Sequence, residues 1–459
     1  MRRDLLSELP WLKAAIKSRL WQPIGMLVTL LCFVLAILAG AVGTPAGARN
    51  FAIVFVWIVW WGLLIVGLIP LLGRLWCAIC PIPAPGEWLQ RRGITGRVPG
   101  RLLSLHRKWP RQLRNIWLQN AGFLLVALFS ALILTTPNLT AWMLLGFLLL
   151  GVLLSTVFDG RVFCRYVCPV GGFIGLYSLM SPLELRVKDV RVCQQHANKE
   201  CLVGTVCSYG CPWLVYPGTL RRNAYCGLCG ECLRGCSKDN IALNVRPFGS
   251  DLLVAGERRL DEAYKALIML SCALLYSVVL LGPWGWLKNM ANMRSITEWG
   301  LYALGFLAVT LLLIPGCFMA ITTLSRRLGG LRTPLARLFA DYAYGLVPLG
   351  LAGWVAFTLS FVLVNGSYAV PVLSDPFGWG WNLLGTTDFP WQPFLMLALP
   401  ALQVATLLAG LAFSILIAYR IALQNSVGSY ATQRAWWATL PVALFMAAVT
   451  FAFFRLYLG

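Results

Sequence analysis

Twelve of the chain's 15 cysteines lie between Cys77 and Cys236, in three groups of four, and their spacing is the first sign of chemistry. The tightest group is CGLCGECLRGC, where Cys226, Cys229, Cys232 and Cys236 have the C-x2-C-x2-C-x3-C spacing of a [4Fe-4S] ligand run. Thiolates this close can wrap the corners of an iron-sulfur cube. Gly227, Gly230 and Gly235 free the backbone to turn its N–H groups towards the sulfides. Ser237 stands where a proline usually follows the fourth cysteine.

The second group precedes it in CQQHANKECLVGTVCSYGCP, with Cys193, Cys201, Cys207 and Cys211 followed by Pro212. Where two such runs share a fold, the fourth cysteine of each ligates the other cluster. One cluster then takes Cys226, Cys229, Cys232 and Cys211, and the other takes Cys193, Cys201, Cys207 and Cys236. A zinc site is the alternative for the irregular second set, since zinc accepts four thiolates at many spacings. His196 lies between two of these cysteines and reads as a surface residue.

The third group is split between GRLWCAICP (73–81) and GRVFCRYVCP (160–169), an internal repeat whose glycines are 87 residues apart. Each copy places a cysteine pair at the end of an apolar segment, closed by Pro81 or Pro169. Cys77, Cys80, Cys164 and Cys168 could form a third metal site, act as redox thiols, or only pack the helix ends. The remaining Cys32, Cys272 and Cys317 fall singly in apolar runs and read as small core residues.

The elements that position these cysteines follow from composition. A chain of 459 residues that is 59% hydrophobic and 12% charged is not an ordinary soluble protein. Apolar runs long enough to span occur near 23–43, 51–72, 116–135, 139–158, 264–283, 299–320, 343–365, 394–418 and 436–456. The expected fold is therefore an all-α polytopic membrane protein of about nine transmembrane helices, with an inserted small α+β two-cluster ferredoxin-like domain. The expected divisions are a basic N-terminal segment (1–20), a four-helix half (21–184), the cysteine-rich domain (185–262) and a five-helix half (263–459).

With the N-terminus inside, 33 of the 38 Lys and Arg residues fall on inner segments, so the net charge of +21 records topology. That places the chain in the inner (cytoplasmic) membrane, with the N-terminus and cysteine-rich domain cytoplasmic and the C-terminus outside. All twelve paired cysteines are then on the reducing side, as metal or redox thiolates require. Nucleic acid is not expected as a partner, because the basic residues are scattered over all the inner loops with no recognition motif. Only His106 and His196 exist, neither in an apolar run, and no C-x-x-C-H occurs, so no haem is expected. The first twenty residues read as an interfacial helix or a solvated basic flank.

Around the boundary motifs the sequence resembles the membrane polyferredoxins that include the NosR and NapH proteins of anaerobic respiration, and the related iron-sulfur proteins of copper-oxidase assembly. The resemblance rests on Arg161, Phe163, Cys164, Cys168, Pro169 and Gly171, on the earlier copy Arg74, Trp76, Cys77, Cys80 and Pro81, and on the eight-cysteine stretch, and covers about residues 21–250. The first copy departs in having C-x2-C where C-x3-C is familiar. Membership implies an electron carrier, or a quinol dehydrogenase-type component, linking quinone or another reductant to a respiratory enzyme or an assembly process.

The leading functional expectation is electron transfer through two [4Fe-4S] clusters between a cytoplasmic donor or the quinone pool and a respiratory or assembly partner. Arg165, Arg221, Arg222, Arg234 and Lys238 lie near the ligands and could attract a small acidic electron donor. A metal-reducing or assembly factor is the alternative, since soft thiolates suit Cu(I). A redox-gated transporter comes third, because the last five apolar runs offer few ionisable groups.

Overall fold

The computed structural model describes residues 2–95 and 103–459. Part of the basic loop expected over 73–115, with Arg97 and Arg101, lies outside the described residues. The described chain is mostly helical. Eight helices are long and apolar enough to cross a membrane: Trp21–Val42, Phe51–Leu72, Pro137–Val157, Leu260–Leu281, Ile296–Leu328, Leu335–Ser374, Leu399–Asn425 and Ala431–Tyr457.

The expected ninth span, 116–135, is not among them. Its residues form a helix of 12 residues, Trp117–Leu128, and a short turn, Ser130–Ile133. Twelve residues rise about 18 Å, well short of a hydrocarbon core of about 30 Å. The break falls at Phe129, whose φ and ψ of −96° and 11° leave the helical region and whose ring stacks on Trp299 at 4.9 Å. Apolar composition alone does not register such a break.

The chain forms two compact units, each assembled from separated stretches. The first contains Met1–Leu38, Gly67–Gly122 and Ala141–Asp251, and the second Ala39–Val66, Phe123–Thr140 and Leu252–Gly459. The second unit is built on the last five long helices, with Trp354 buried against Trp61, Phe123, Tyr276 and Phe357.

Within the first unit, the strands β1 (Arg3–Asp4), β2 (Leu183–Val187) and β3 (Ile241–Val245) make an antiparallel sheet of order β1-β3-β2. Leu183 pairs with Val245 and Val187 with Ile241, so the sheet brackets the cysteine-rich stretch at both ends. One face carries Leu185, Ile241 and Leu243, packed with Leu6, Leu228, Leu233 and Cys232.

Residues 1–20 have a structural part that their basic composition does not suggest. They supply the edge strand β1 and the helix Pro10–Lys17, whose Leu12 and Ile16 pack on the same core. Burying Leu6, at 3% exposure, contributes roughly 1.5–3 kcal/mol. The partly exposed pairs of Lys13 and Lys17 with Asp239 are each worth about 0–1 kcal/mol. Apolar contact thus holds this segment in place, and charge only sets its register.

A buried ionic cluster fixes the loop that leads to Cys226. Arg246 meets Glu184 at 2.8 Å and Asp251 at 2.5 Å, and Asp251 accepts the backbone N–H of Asn223 at 2.6 Å. Burial lowers the pKa of Arg186, against the pull of Asp251 and Glu184 beside it.

Candidate metal centres

Cys211, Cys226, Cys229 and Cys232 line one pocket with Leu185, Trp213, Leu220, Tyr225 and Gly227, holding about 370 Å³ of free space including its mouth. The four sulfurs feel one another: Cys232 is affected by Cys226, Cys229 and Cys211, and Cys211 by Cys226. Burial pushes the Cys226 thiol up to about 11 and Cys229 to about 12, and drives Cys232 well above the usual thiol value. Trp213, 2% exposed, covers the pocket. A Cβ on Gly227 would stand 2.2 Å from the Trp213 ring nitrogen, so only glycine fits beneath that cover. Gly230 is needed for a different reason, its φ of +76°. Gly235, at φ −87°, is not in the left-handed region, and Ser208 crowds it instead.

The second group is placed differently. Cys193, Cys201 and Cys236 line a pocket with His196, Tyr216, Lys238 and Asn240. Burial raises Cys201 to about 11, with Cys236 and Cys193 adding to it. Asn240 donates its backbone N–H to the Cys236 sulfur and its side-chain amide to the Cys193 sulfur, both at 3.3 Å. Cys207 is not brought into this pocket. It is exposed, on the turn where Thr205 and Ser208 pair, and its N–H donates to the Thr205 hydroxyl at 3.1 Å.

The boundary cysteines gather at the ends of the two repeated motifs. Gly73 and Gly160, at φ +62° and +77°, end the preceding helical segments in the left-handed conformation that favours glycine. The first copy continues in a tight turn, with Cys77 N–H bonded to Arg74 O at 2.9 Å and Ala78 N–H to Leu75 O at 2.9 Å. The second copy has one more residue between its cysteines. It takes a wide π-helical turn over Phe163–Val167, closed by Cys168 N–H to Phe163 O at 2.8 Å. The extra residue is thus taken up by a wider turn, and the second cysteine of each copy is extended before its proline, with ψ of 133° and 117°.

Three of the four boundary thiols are raised, each with at least one other cysteine of the quartet among the causes. Burial, then Cys77 and Cys168, raises Cys80. Burial, then Cys168, Cys80 and Cys77, raises Cys164. Cys168 is pushed up to about 11 by burial while the Gly171 N–H, 3.2 Å from its sulfur, pulls it down. Arg161, from the second copy, donates to the Cys77 carbonyl in the first. It also pairs with buried Glu87 at 2.5 and 3.0 Å. Burial favours the neutral acid, but Arg161 and then Arg91 outweigh it and hold Glu87 below the usual carboxylate range.

Among the described residues no three His, Cys, Asp or Glu side chains come close enough to share one metal ion. A tetrahedral zinc, with Zn–S bonds of about 2.3 Å, needs its sulfurs within about 4 Å of one another. A donor set of four thiolates, as at Cys211, Cys226, Cys229 and Cys232, is one that an iron-sulfur cluster takes.

Some residues carry more than their sequence signals. Glu87 is a single acid in a basic loop, and nothing in its neighbours marks it as the partner of Arg161. Asp261, Glu262 and Lys265 open the helix Leu260–Tyr276 and are all buried, although the sequence reads as poor in ionisable groups there. Lys265 lies over the Phe123 ring at 4.7 Å, and Glu262 accepts from the Tyr344 hydroxyl. Of the basic residues expected to attract an acidic donor, Arg222 is buried, Arg165 bonds Trp213 O, and Arg234 is held by Glu231.

The chain matches a family model for a 4Fe-4S binding domain in two stretches, residues 53–111 and 140–188. This supports an iron-sulfur protein. The matched stretches contain Cys77 and Cys80 in one and Cys164 and Cys168 in the other, while Cys193 to Cys236 lie beyond both. An uncharacterized protein of Methanocaldococcus jannaschii is 26% identical over 87 residues, covering 19% of this chain and 32% of that protein. The chain thus aligns with about a third of that relative's length. No solved structure matches.

Proposed function

We propose that this chain is a membrane-bound electron-transfer protein, passing electrons between a cytoplasmic donor or the quinone pool and a respiratory or assembly partner through two [4Fe-4S] clusters. The observation that carries the reading is the convergence of Cys211, Cys226, Cys229 and Cys232 on one covered pocket. The second cluster belongs to Cys193, Cys201 and Cys236, with Cys207 on the neighbouring turn as fourth ligand. Bound there, such clusters supply reversible one-electron transfer.

The chain's own residues set the conditions for that chemistry. Trp213 gives the first pocket a buried aromatic wall. The two N–H groups of Asn240 stabilise negative charge on sulfur in the second, which raises a cluster's potential. The two pockets share Pro217 in their walls, and Cys232 is among the groups that feel Cys201, so they are close neighbours. The eight long helices supply the anchor.

The test is anaerobic purification of the full chain, iron and sulfide analysis, and electron paramagnetic resonance through a redox titration. At least about eight irons per chain, two cubes of four, and two titrating signals that a quinol or a low-potential donor reduces are expected. Absence of iron, or clusters that respond to neither donor class, would overturn the reading.

A further inference from the structure

The two boundary cysteine pairs are largely buried and joined across the repeat. Cys77, Cys164 and Cys168 are each 7% exposed. The copies are tied together across the site by Arg161 on the Cys77 carbonyl, while Gln119 donates to the Cys164 carbonyl at 3.1 Å. Neither copy alone brings more than two sulfurs.

Beside them lies Arg74, 4% exposed. One of its nitrogens donates to the Ala224 carbonyl, and its guanidinium lies 4.3 Å from the Trp213 ring. Its Nε and second Nη are buried without a hydrogen-bond partner. No carboxylate among the described residues pairs with it, whereas Arg161 has Glu87. A buried guanidinium with two idle donors is costly unless an anion completes it.

We propose that Cys77, Cys80, Cys164 and Cys168 together hold a third [4Fe-4S] cluster, completed by both copies of the repeat, with Arg74 as its counter-charge and Arg161, held by Glu87, as the tie between the copies. This rests on the iron-sulfur reading above and extends it to a site outside the eight-cysteine stretch. An oxidised four-iron cube on four thiolates is a dianion, which explains why the site retains the Arg74 cation. Four protonated thiols or a pair of disulfides would be neutral and would leave Arg74 unmatched.

The arginines also place the third site next to the first pocket. Arg74 acts on both Cys168 and Cys226, and Arg161 on both Cys164 and Cys229. Each repeat therefore contributes two thiols to the boundary site and one cation shared with the first pocket. The boundary quartet thus adjoins the first pocket, which shares Pro217 with the second.

The full chain, purified without oxygen, should contain about twelve irons and twelve sulfides, three cubes of four. Cys77→Ala with Cys164→Ala should lose about four of each, keeping the signals of the other two centres. Cys226→Ala with Cys229→Ala should lose a different four and keep the boundary signal. Arg74→Gln should leave the iron count unchanged and lower the midpoint potential of the boundary signal, with Arg74→Lys restoring it. Mössbauer counting on the unaltered chain decides the matter even if a cysteine variant does not fold. About eight irons, or copper bound at the quartet, would overturn the third cluster and leave the two-cluster reading standing. No iron at all would remove both.

Discussion

The two pockets of the eight-cysteine stretch start from similar ligand sets and are finished differently. The first is covered by Trp213, and its Cys229 and Cys232 are part of a buried core. The second has half-buried cysteines, a lysine in its wall and one expected ligand, Cys207, on an exposed turn. The pockets therefore differ in the burial of Cys229 and Cys232 and in the polarity of their walls, while Cys211 and Cys226 are half-buried like the cysteines of the second.

The largest effect that would break this contrast is expected at Cys232. Its sulfur lies among Leu6, Leu185, Leu233 and Ile241, so Cys232→Ser should remove one cluster and loosen the sheet as well. A polar hydroxyl stranded in that core costs roughly 1–3 kcal/mol before any metal is lost. Iron analysis together with limited proteolysis would show both losses. An intact, protease-resistant domain with full iron would show that Cys232 is neither ligand nor core.

A smaller effect concerns the order of loss. Under air or chelator the second centre should bleach well before the first, followed by paramagnetic resonance against time. Simultaneous loss would mean that the covering Trp213 provides no protection. Cys207 should be alkylated readily in the iron-free protein and protected after cluster loading. Reaction at equal rate in both forms would remove it from the ligand set.

Asn240→Leu should leave both clusters in place but lower the potential of the second, since one N–H bond to the Cys193 sulfur is lost while the backbone bond to Cys236 remains. A change confined to the first centre would reverse the assignment of the pockets.

The smallest effect is at the N-terminal helix. Hydrogen bonding from Lys13, then Lys17, holds Asp239 below its usual carboxylate range, with partial burial opposing them. Its contribution is full above the ordinary aspartate value near 3.9 and fades as pH falls through the lower folded value. Acidification below about pH 4, or Asp239→Asn at neutral pH, should make residues 1–20 more susceptible to protease by no more than about 1 kcal/mol. A large effect would mean that charge, rather than the burial of Leu6, secures the segment.

Much of this was legible in the residues. Eight of the nine apolar runs are long helices, because length and apolarity are what a spanning helix requires and both are local properties. The ferredoxin-type spacing marked Cys226, Cys229 and Cys232, since ligands within one loop are close in space whatever the rest of the chain does. The break at Phe129 was not legible, because nothing in the neighbouring residues marks it; its ring stacks on Trp299, 170 residues away.

By itself, then, the sequence determined the apolar helices, the cysteine pairs and the repeat, all of which depend on neighbours in the chain. Only tertiary structure decided that Cys207 stays outside the second pocket and that Arg161 of the second repeat reaches the Cys77 carbonyl of the first. It also decided that the basic N-terminus completes a sheet. These outcomes depend on segments far apart in sequence reaching one another, and their energies come from burial and desolvation, which no local spacing encodes.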